Sequence, residues 1–422
     1  MSDYLPNRTV AELVATRRRG VDAEALATAA AIIARVERDG MAALTELTEE
    51  FGERPEGMGL FLDRSRLEAA RAALADDDRR RLERIADRIE RFATAQLGTL
   101  LPLTGVAVPG GSAGHTVAPV SRAGCYAPGG RYPLPSSVLM TVLTARVAGV
   151  AEVWVASPRP SSLTLAAAAV AGADGLLVAG GAHAIAALAL GVGPVPAADV
   201  VVGPGNRYVT AAKQLVYGRV GIDMLAGPSE LTVLADGTAR PEVVAADLIA
   251  QAEHDPDALP VLVTTDAGLA EDVRREVESQ LAGLPTAATA VPALRGGGAV
   301  VVATLEEAVA ACDALAPEHL QLAVAQPDRL VEQLAHYGAV FVGEGSAEVF
   351  GDYGVGPNHV LPTGGTARFT GGLSVFTFLR VRTWLAADPT DELRGDTAWL
   401  ARREGLEGHA RAAEARGPRP PS

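Results

Sequence analysis

Two residues that can move protons are adjacent in the sequence, Glu318 and His319, directly before the apolar run LQLAV. A histidine titrates near about 6.5 and can accept a proton at neutral pH, while a glutamate can activate a water molecule. Pro317 ends the helix predicted before the pair, so the pair begins a strand. Because Glu-His dipeptides are frequent by chance, a solvated strand entrance is the alternative interpretation.

Two further candidates lie on a helix predicted in PEVVAADLIAQAEHDPD. Gln251 and His254 are three residues apart, so they share one face at the C-terminal end of that helix. We expect the helix to end near Asp255, because Pro256 follows it. This spacing suits a metal site, although a polar helix face is the more common explanation for such a segment alone.

The segment EVFGDYGVGPNHVLPTGG places Asp352, Asn358 and His359 in a stretch rich in glycine and proline. The stretch is too irregular for a core element and too apolar for a disordered linker. Loops of this kind often hold ligands. A structural loop with an Asx-turn at Asp352 explains the same residues equally well.

A second glutamate and histidine, Glu404 and His409, lie in the polar stretch REGLEGHARAAEAR. Five residues along an ideal helix separate two side chains by about 140°, so one continuous helix would not direct both to one point. Gly405 and Gly408 allow the helix to break between them. The alternative is a solvent-facing helix with an isolated histidine.

Two glycine-containing motifs match known patterns only in part. GGSAG at 110–114 fits the G-x-S-x-G pattern of serine hydrolases, but the following HTVAP predicts a strand instead of the required helix. GPGNRY at 203–208 lacks the third glycine of the dinucleotide-binding fingerprint, so a nicotinamide cofactor does not follow from it. A strand, a glycine-rich turn and a helix can still bind a phosphate group.

The composition excludes several classes of protein. With 422 residues, 48% of them hydrophobic, the chain can form more than one core. A formal net charge of −14 argues against nucleic acid as a partner. The sequence shows neither a signal-peptide pattern nor a membrane-spanning apolar stretch. Cys125 and Cys312 are far apart and predict no disulfide framework. We therefore expect a cytoplasmic protein.

The elements that must position the candidate residues alternate along the chain. Residues 22–96 predict amphipathic helices, since apolar residues recur at three- and four-residue spacing. From Val117, short apolar runs such as VWVAS and DVVVG alternate with Ala-rich helical segments, and a second such series begins after Ser229. The alternation predicts two α/β units with parallel sheets. Beyond Thr390 we expect a polar helical tail, frayed at its C-terminal end.

Six motifs together resemble the histidinol dehydrogenase family and occur in that family's order: YAPGGRYPLPSSVLM, VVGPGNRYVTAAK, IDMLAGPSE, AADLIAQAEHDPD, APEHLQL and GDYGVGPNHVLPTGGTARFTGGLSV. The resemblance implies two incomplete Rossmann-like parallel-sheet units, a helical N-terminal segment and an extended, swapped helical C-terminal tail. The implied boundaries are 1–22 for an N-terminal segment, 23–120 with 230–373 for a first domain, 121–229 for a second, inserted domain, and 374–422 for the tail.

The resemblance also implies a reaction, the four-electron oxidation of L-histidinol, through L-histidinal, to L-histidine, with NAD+ as the oxidant. This is the last step of histidine biosynthesis. His319 matches the base that removes the hydroxyl proton, and Glu318 matches the group that activates water. One zinc ion per subunit is implied, which orients the substrate. Its implied ligands are Gln251, His254, Asp352 and His409.

Substrate and cofactor contacts follow from the same resemblance. The implied substrate contacts are Ser229, Gln251, His254, His319, Asp352, Glu404 and His409, and His359 lies close to the site. Tyr126 and Asn206 match NAD+ contacts. The family's usual GGAQA reads GGAHA here, which places His183 where a carboxamide is expected. An imidazole cannot reproduce both functions of an amide, so we expect this change to affect cofactor affinity more than catalysis.

In the family, the tail with Glu404 and His409 reaches the partner subunit's active site, so a homodimer with shared active sites is expected. Two alternatives remain open. One is a related zinc- and NAD-dependent dehydrogenase of another polar alcohol, such as a sulfonated diol; Glu404, and Asp255 within EHDP, favour histidinol over it. The other is a non-catalytic metal-binding relative.

Overall fold

The computed structural model describes residues 3–17, 21–129 and 133–417. The predicted fraying of the C-terminal end falls on residues 418–422, outside the described residues. Helices and strands are numbered along the chain. The chain forms two compact units, the first from the described residues of Met1–Gln96 and Val120–Phe378 and the second from those of Leu97–Pro119 and Leu379–Ser422.

The N-terminal part is helical, as the apolar spacing predicts. Asp22 accepts a hydrogen bond from the Ala25 amide at the start of the second helix, and Gly40, with φ of 55°, ends that helix. Such caps satisfy backbone groups that a helix leaves unpaired. The elements are α1 Val10–Thr16, α2 Ala23–Asp39, α3 Met41–Glu50, β1 Phe61–Asp63, α4 Arg64–Ala72 and α5 Asp76–Leu97, followed by β2 Leu103–Val108 and β3 Gly111–Pro119.

A parallel sheet follows, with strands and helices in alternation: β4 Arg122–Tyr126, α6 Pro135–Val147, β5 Glu152–Ala156, α7 Ser162–Val170, β6 Gly175–Leu177, α8 Gly181–Leu190, β7 Val200–Val202, α9 Arg207–Val216 and β8 Gly221–Ile222. The strand order is β1-β6-β5-β4-β7-β8, and only β1 at the edge is antiparallel. Since the chain builds outward from β4 first on one side and then on the other, the strand order reverses between β4 and β7.

A second sheet is parallel throughout and has the order β11-β10-β9-β12-β13. Its elements are β9 Glu230–Ala235, α10 Pro241–Ala252, β10 Leu259–Thr264, α11 Ala267–Leu281, α12 Ala287–Gly296, β11 Gly298–Val301, α13 Leu305–Leu315, β12 His319–Ala323, α14 Pro327–Val331, β13 Ala339–Val342 and α15 Glu348–Asp352. The order of this sheet reverses between β9 and β12.

Helices cover both faces of the second sheet, so β9 is buried along its whole length. Leu231 and Val233 pack on one face with residues of α10–α12, while Leu234 packs on the other with residues of α13. Alternate residues of one strand therefore enter two cores, which explains the continuous apolar runs. The predicted α/β class with parallel sheets is confirmed; the predicted domain boundaries and the exchange of the tail stay predictions.

The second unit contains a three-stranded antiparallel sheet and two helices. The remaining elements are β14 Leu379–Ala387, α16 Asp391–Arg403 and α17 Glu407–Glu414. In the sheet, β14 pairs with β3, and β3 pairs with β2. Strand β14 lies inside the segment that was predicted as a helical tail.

Candidate active site

The adjacent residues Glu318 and His319 lie at the amino edge of the second parallel sheet. His319 is the first residue of β12, where it pairs with Leu231 of β9 and Ala339 of β13. Only 6% of Glu318 and 2% of His319 are exposed. A solvated strand entrance therefore does not describe this pair.

A sharp turn presents the pair to the edge of the sheet. Helix α13 ends at Leu315, and Ala316 adopts a left-handed conformation with φ of 45°. The Ala316 amide donates to the Cys312 carbonyl, which completes the last turn of the helix. Pro317 follows and prevents further helix. Two residues thus reverse the chain and place Glu318 immediately before the strand.

Hydrogen bonds with Ser229 and Glu230 orient the two members of the pair. The Glu230 amide donates to Glu318 Oε2 at 2.9 Å, and the Ser229 hydroxyl donates to the same oxygen at 2.7 Å. His319 Nδ1 lies 3.0 Å from the Glu230 carbonyl oxygen. A carbonyl only accepts, so Nδ1 carries the proton and Nε2 of a neutral ring is left as the acceptor.

Burial shifts the pKa values of Glu318 and His319 in opposite directions. It raises the pKa of Glu318 well above its ordinary value, against the two hydrogen bonds to its carboxylate. It lowers the pKa of His319 to about 4, against the nearby charge of Asp352. In each case burial penalises the charged form. His319 is therefore neutral at neutral pH and able to accept a proton at Nε2.

An imidazole and two carboxylates form a potential metal-binding group beside the pair. One donor atom each from His254, Glu348 and Asp352 lie within 4.8 Å of one another. Asp352 Oδ2 is 3.3 Å from His254 Nε2, and its Oδ1 is 3.9 Å from His319 Nε2. Imidazole nitrogen and carboxylate oxygen are donors that Zn2+ binds. The structure thus brings two of the predicted ligands together next to the predicted base.

His254 and Asp352 stabilise each other's charged forms. Burial lowers the pKa of His254, but the hydrogen bond and the charge of Asp352 outweigh this and raise it above its ordinary value. Burial raises the pKa of Asp352, but the hydrogen bond from His254 and the nearby imidazoles outweigh it and lower that pKa. Because a metal ion binds only the neutral imidazole, any proton carried by His254 would be released on binding.

The predicted ligand Gln251 is fully buried in the last turn of α10. Neither its amide nitrogen nor its amide oxygen has a hydrogen-bond partner among the described residues. Buried polar groups are satisfied as a rule, so two unpartnered amide atoms one turn before His254 are consistent with a ligand that binds there. The donor set therefore fits a bound cation.

His359 and Asn358 support the segment that carries Asp352. His359 Nδ1 donates to the Asp352 carbonyl at 2.8 Å, and its Nε2 lies 3.2 Å from the Ser137 hydroxyl. Asn358 donates to the Met140 carbonyl at 2.9 Å. Both side chains therefore fix the loop against α6, and His359 holds the backbone of a candidate ligand.

The predicted cofactor contacts lie at the carboxyl edge of the first sheet. Tyr126 ends β4, and Asn206 follows β7 and caps α9 by accepting from the Tyr208 and Val209 amides. These two strands flank the point where the strand order reverses, which is where open α/β sheets bind ligands. The N-terminus of α9 can also attract an anion. The geometry fits a phosphate-bearing cofactor.

The turn between β7 and α9 is held in place at Gly203, close to the backbone of Tyr126. Asp223 accepts from the Gly203 amide at 2.7 Å, and Lys213 donates to the Gly203 carbonyl at 2.9 Å. Gly203 has φ of 117°, and a Cβ there would lie 2.0 Å from the Tyr126 carbonyl oxygen. Glycine is therefore required at this close approach of two backbone segments.

Comparisons with known proteins identify the family. A family model described as Histidinol dehydrogenase matches residues 15–417. The histidinol dehydrogenase of Thermus thermophilus is 52% identical over 347 residues, covering 81% of this chain and 83% of that relative. The one from Methylococcus capsulatus is 44% identical, covering 91% and 90%. The chain belongs to the histidinol dehydrogenase family.

A solved member of the histidinol dehydrogenase family has the same fold. The crystal structure from Elizabethkingia anophelis gives a TM-score of 0.89 at 31% identity, covering 99% of this chain and 98% of that one. The family membership predicted from the six motifs is thus confirmed. The prediction that the protein is an oxidoreductase is confirmed as well. The comparisons do not favour the alternative of a related dehydrogenase for another alcohol.

Sequence reasoning missed one residue of the site, Glu348. Its side chain is 2% exposed, its Oε1 lies 3.8 Å from His319 Nδ1, and its Oε2 has no partner among the described residues. Burial and the negative charge of Asp352 raise its pKa well above the ordinary value. Glu348 and Asp352 are four residues apart in α15, so their spacing on one helical face was the available signal.

The predicted contacts Glu404 and His409 belong to the second unit, where both side chains are exposed. Gly405, with φ of 78°, separates α16 from α17, so the predicted break between the two residues is confirmed. The three residues of the potential metal-binding group, His254, Glu348 and Asp352, all belong to the first unit. A place for Glu404 and His409 in the site stays a prediction.

The imidazole of His183 contacts two other side chains, those of Glu53 and Phe51. Its Nε2 lies 2.8 Å from Glu53 Oε2, its ring stacks on Phe51, and its Nδ1 lacks a partner among the described residues. Glu53 also accepts from the Gly180 amide just before α8, at 2.7 Å. The effect of this histidine on cofactor affinity stays a prediction.

Across residues 3–17, 21–129 and 133–417, no helix combines the length and apolar character that a membrane span requires.

Proposed function

We propose that this chain oxidises L-histidinol to L-histidine in two hydride transfers to NAD+, with the intermediate aldehyde retained in the site. The family membership supports the substrate and the reaction. The observation that carries the mechanism is the buried pair, in which His319 is neutral, protonated at Nδ1 and free to accept at Nε2.

His319 acts first in this mechanism. Its Nε2 takes the hydroxyl proton of the alcohol as hydride leaves the carbinol carbon, because the bond from Nδ1 to the Glu230 carbonyl fixes the tautomer. Asp352 lies 3.9 Å from Nε2, so its negative charge stabilises the imidazolium that forms. The base must then release this proton before the second step.

Glu318 acts in the second step, where water attacks the aldehyde. The Ser229 and Glu230 hydrogen bonds both reach Oε2, so we assign Oε1 to the water molecule. A raised pKa makes this carboxylate a stronger base than an ordinary glutamate. Retaining the aldehyde in the site between the two steps would prevent loss of a reactive intermediate.

We assign one Zn2+ per subunit to Gln251, His254, Asp352 and the partner subunit's His409. When bound, zinc orients the imidazole and amino groups of the substrate and NAD+ accepts the hydrides. The proximity of His254 to Asp352 and the unpartnered amide of Gln251 support three of these ligands. Imidazole donors favour zinc over magnesium.

The remaining contacts complete the proposal. Ser229 and Glu404 contact the substrate together with His319 and the zinc ligands, while Tyr126 and Asn206 contact NAD+. The active enzyme is a homodimer with shared sites, since Glu404 and His409 come from the partner's tail. We also propose that it works in the cytoplasm, without nucleic acid or membrane as a partner.

The test measures products from purified, zinc-loaded enzyme. With histidinol, two NADH should form for each histidine, and His319→Asn should abolish turnover while folding and zinc content persist. His336→Asn is the matched control, because this histidine lies after α14 and should leave turnover unchanged. Absence of turnover in the unsubstituted enzyme would reject the substrate, and an active His319→Asn variant would reject the base. A metal-binding protein without activity would show zinc but no NADH.

A further inference from the structure

The first residue of β9, Glu230, contacts both catalytic groups through its main chain alone. Its amide donates to Glu318 Oε2 at 2.9 Å, and its carbonyl accepts from His319 Nδ1 at 3.0 Å. One peptide segment thus orients the carboxylate of Glu318 and selects the tautomer of His319. Any shift of this residue alters both hydrogen bonds at once.

The side chain of Glu230 is itself held in a buried ion pair. Its Oε2 lies 2.9 Å from Arg17 Nη2, and its Oε1 accepts from the Gly364 amide at 3.0 Å. Only 9% of the Arg17 side chain and 5% of the Glu230 side chain are exposed. Gly364 follows the segment that carries Asp352 and His359, so Glu230 joins the start of β9 to that segment.

Arg17 connects the same point to the helix that precedes the catalytic pair. Its Nη1 donates to the carbonyl of Leu315, the last residue of α13. Two residues, Ala316 and Pro317, separate Leu315 from Glu318. A single guanidinium therefore links the strand that orients the pair with the helix end that leads into it, in the planar geometry for which arginine is suited.

We propose that the Arg17–Glu230 ion pair positions Glu318 and His319 for catalysis. Neither residue contacts the reacting atoms, so both are positioning residues. The inference rests on the proposed function for its kinetic readout. Since the ion pair contacts neither Gln251 nor His254, its loss should leave zinc and substrate binding intact and slow the chemical steps.

The first variant is Arg17→Met, which keeps much of the apolar stem and removes both hydrogen bonds. Misplaced catalytic groups cost up to about 100-fold in rate, so we expect kcat to fall on the order of 10- to 100-fold while KM for histidinol and zinc content stay within about twofold. The matched control is Arg274→Met. Arg274 is also buried and holds the N-terminal segment through the Leu5 carbonyl and Asn7, but no catalytic residue.

A second variant separates positioning from stability. Arg17→Met alone leaves the Glu230 charge buried without its partner, which is strongly destabilising. The double variant Arg17→Met/Glu230→Gln removes both charges and should fold more stably than the single one, while kcat stays low. Guanidinium added to Arg17→Ala should raise kcat, whereas urea, its neutral analogue, should not.

An NMR readout of the imidazole nitrogens tests the inference independently of turnover. In the unsubstituted protein His319 should be protonated at Nδ1 only, and in the double variant both tautomers should appear. If the unsubstituted enzyme does not oxidise histidinol, the proposed function fails and the tautomer still tests the ion pair. An unchanged tautomer, a double variant with near-normal kcat, or an equal loss of kcat in Arg274→Met would each overturn the inference.

Discussion

Subunit complementation offers the sharpest test of the shared active site. The candidate base His319 lies in the first unit and the candidate ligand His409 lies exposed in the second. His319→Asn and His409→Ala should each be inactive alone, one without its base and the other without a zinc ligand. If each site combines His319 of one subunit with His409 of the other, a mixed dimer contains one site with both substitutions and one with neither.

The expected recovery follows from counting sites. Random exchange of equal amounts of the two variants makes about half of the dimers mixed, and half of the sites in each mixed dimer are intact. The mixture should therefore regain about a quarter of normal NADH formation per chain. Differently tagged chains allow the mixed dimer to be purified, and it should show about half of the normal activity.

The reciprocal mixture reverses the expectation. When both substitutions are on one chain, a dimer of that chain with an unsubstituted chain has one defect in each shared site and should be inactive. If each subunit instead forms its site alone, this dimer keeps half of the activity and the first mixture recovers none. That second pattern would refute the exchange of the tail.

Two other perturbations test the metal site and its surroundings. His254→Ala should lower the zinc content measured by elemental analysis, whereas His336→Ala should not; full zinc in both would reject His254 as a ligand. Burial and the charge of Glu344 raise the pKa of Asp247 to about 6. Asp247 thus binds its proton more tightly in the folded state than in the unfolded state. Ionised Asp247 therefore lowers the free energy of unfolding by an amount that grows as pH rises from about 4 to about 6 and stays constant above that. Asp247→Asn should stabilise the metal-free protein by up to about 3 kcal/mol in urea unfolding near neutral pH and by little near pH 4, and equal effects at both would contradict this.

The strands that carry the site could be predicted because they are buried on both faces. Runs such as HLQLAV and LTVLAD are continuously apolar, and the structure places β12 and β9 there. Several other strands were missed, among them β1 and β14, for different reasons. β1 has only three residues at a sheet edge, and β14 alternates arginines with apolar residues on an exposed sheet, which resembles the polar tail around it.

Within the site, residue types were easier to predict than their environments. The pair Glu318-His319 could be selected by its chemistry, but its burial depends on β9 and β13, which pair with β12 from distant parts of the sequence. The contact between His183 and Glu53 joins residues 130 positions apart, and no local pattern announces it. Such long-range contacts decide protonation and tautomer, which a motif alone does not specify.

The sites proposed at the two sheets suit ligands of different charge because they lie at opposite edges. In the first sheet, Tyr126 and Asn206 lie at the carboxyl edge, where the N-termini of the following helices favour the phosphates of a nucleotide. In the second sheet, His319 lies at the amino edge, beside the same kind of reversal in strand order. Helix α10 runs antiparallel to the strands, so its C-terminal end brings Gln251 and His254 to that edge. A helix C-terminus carries partial negative charge, which favours a metal cation and the ammonium group of the substrate. The amino edge, unusual for an α/β sheet, therefore suits this chemistry.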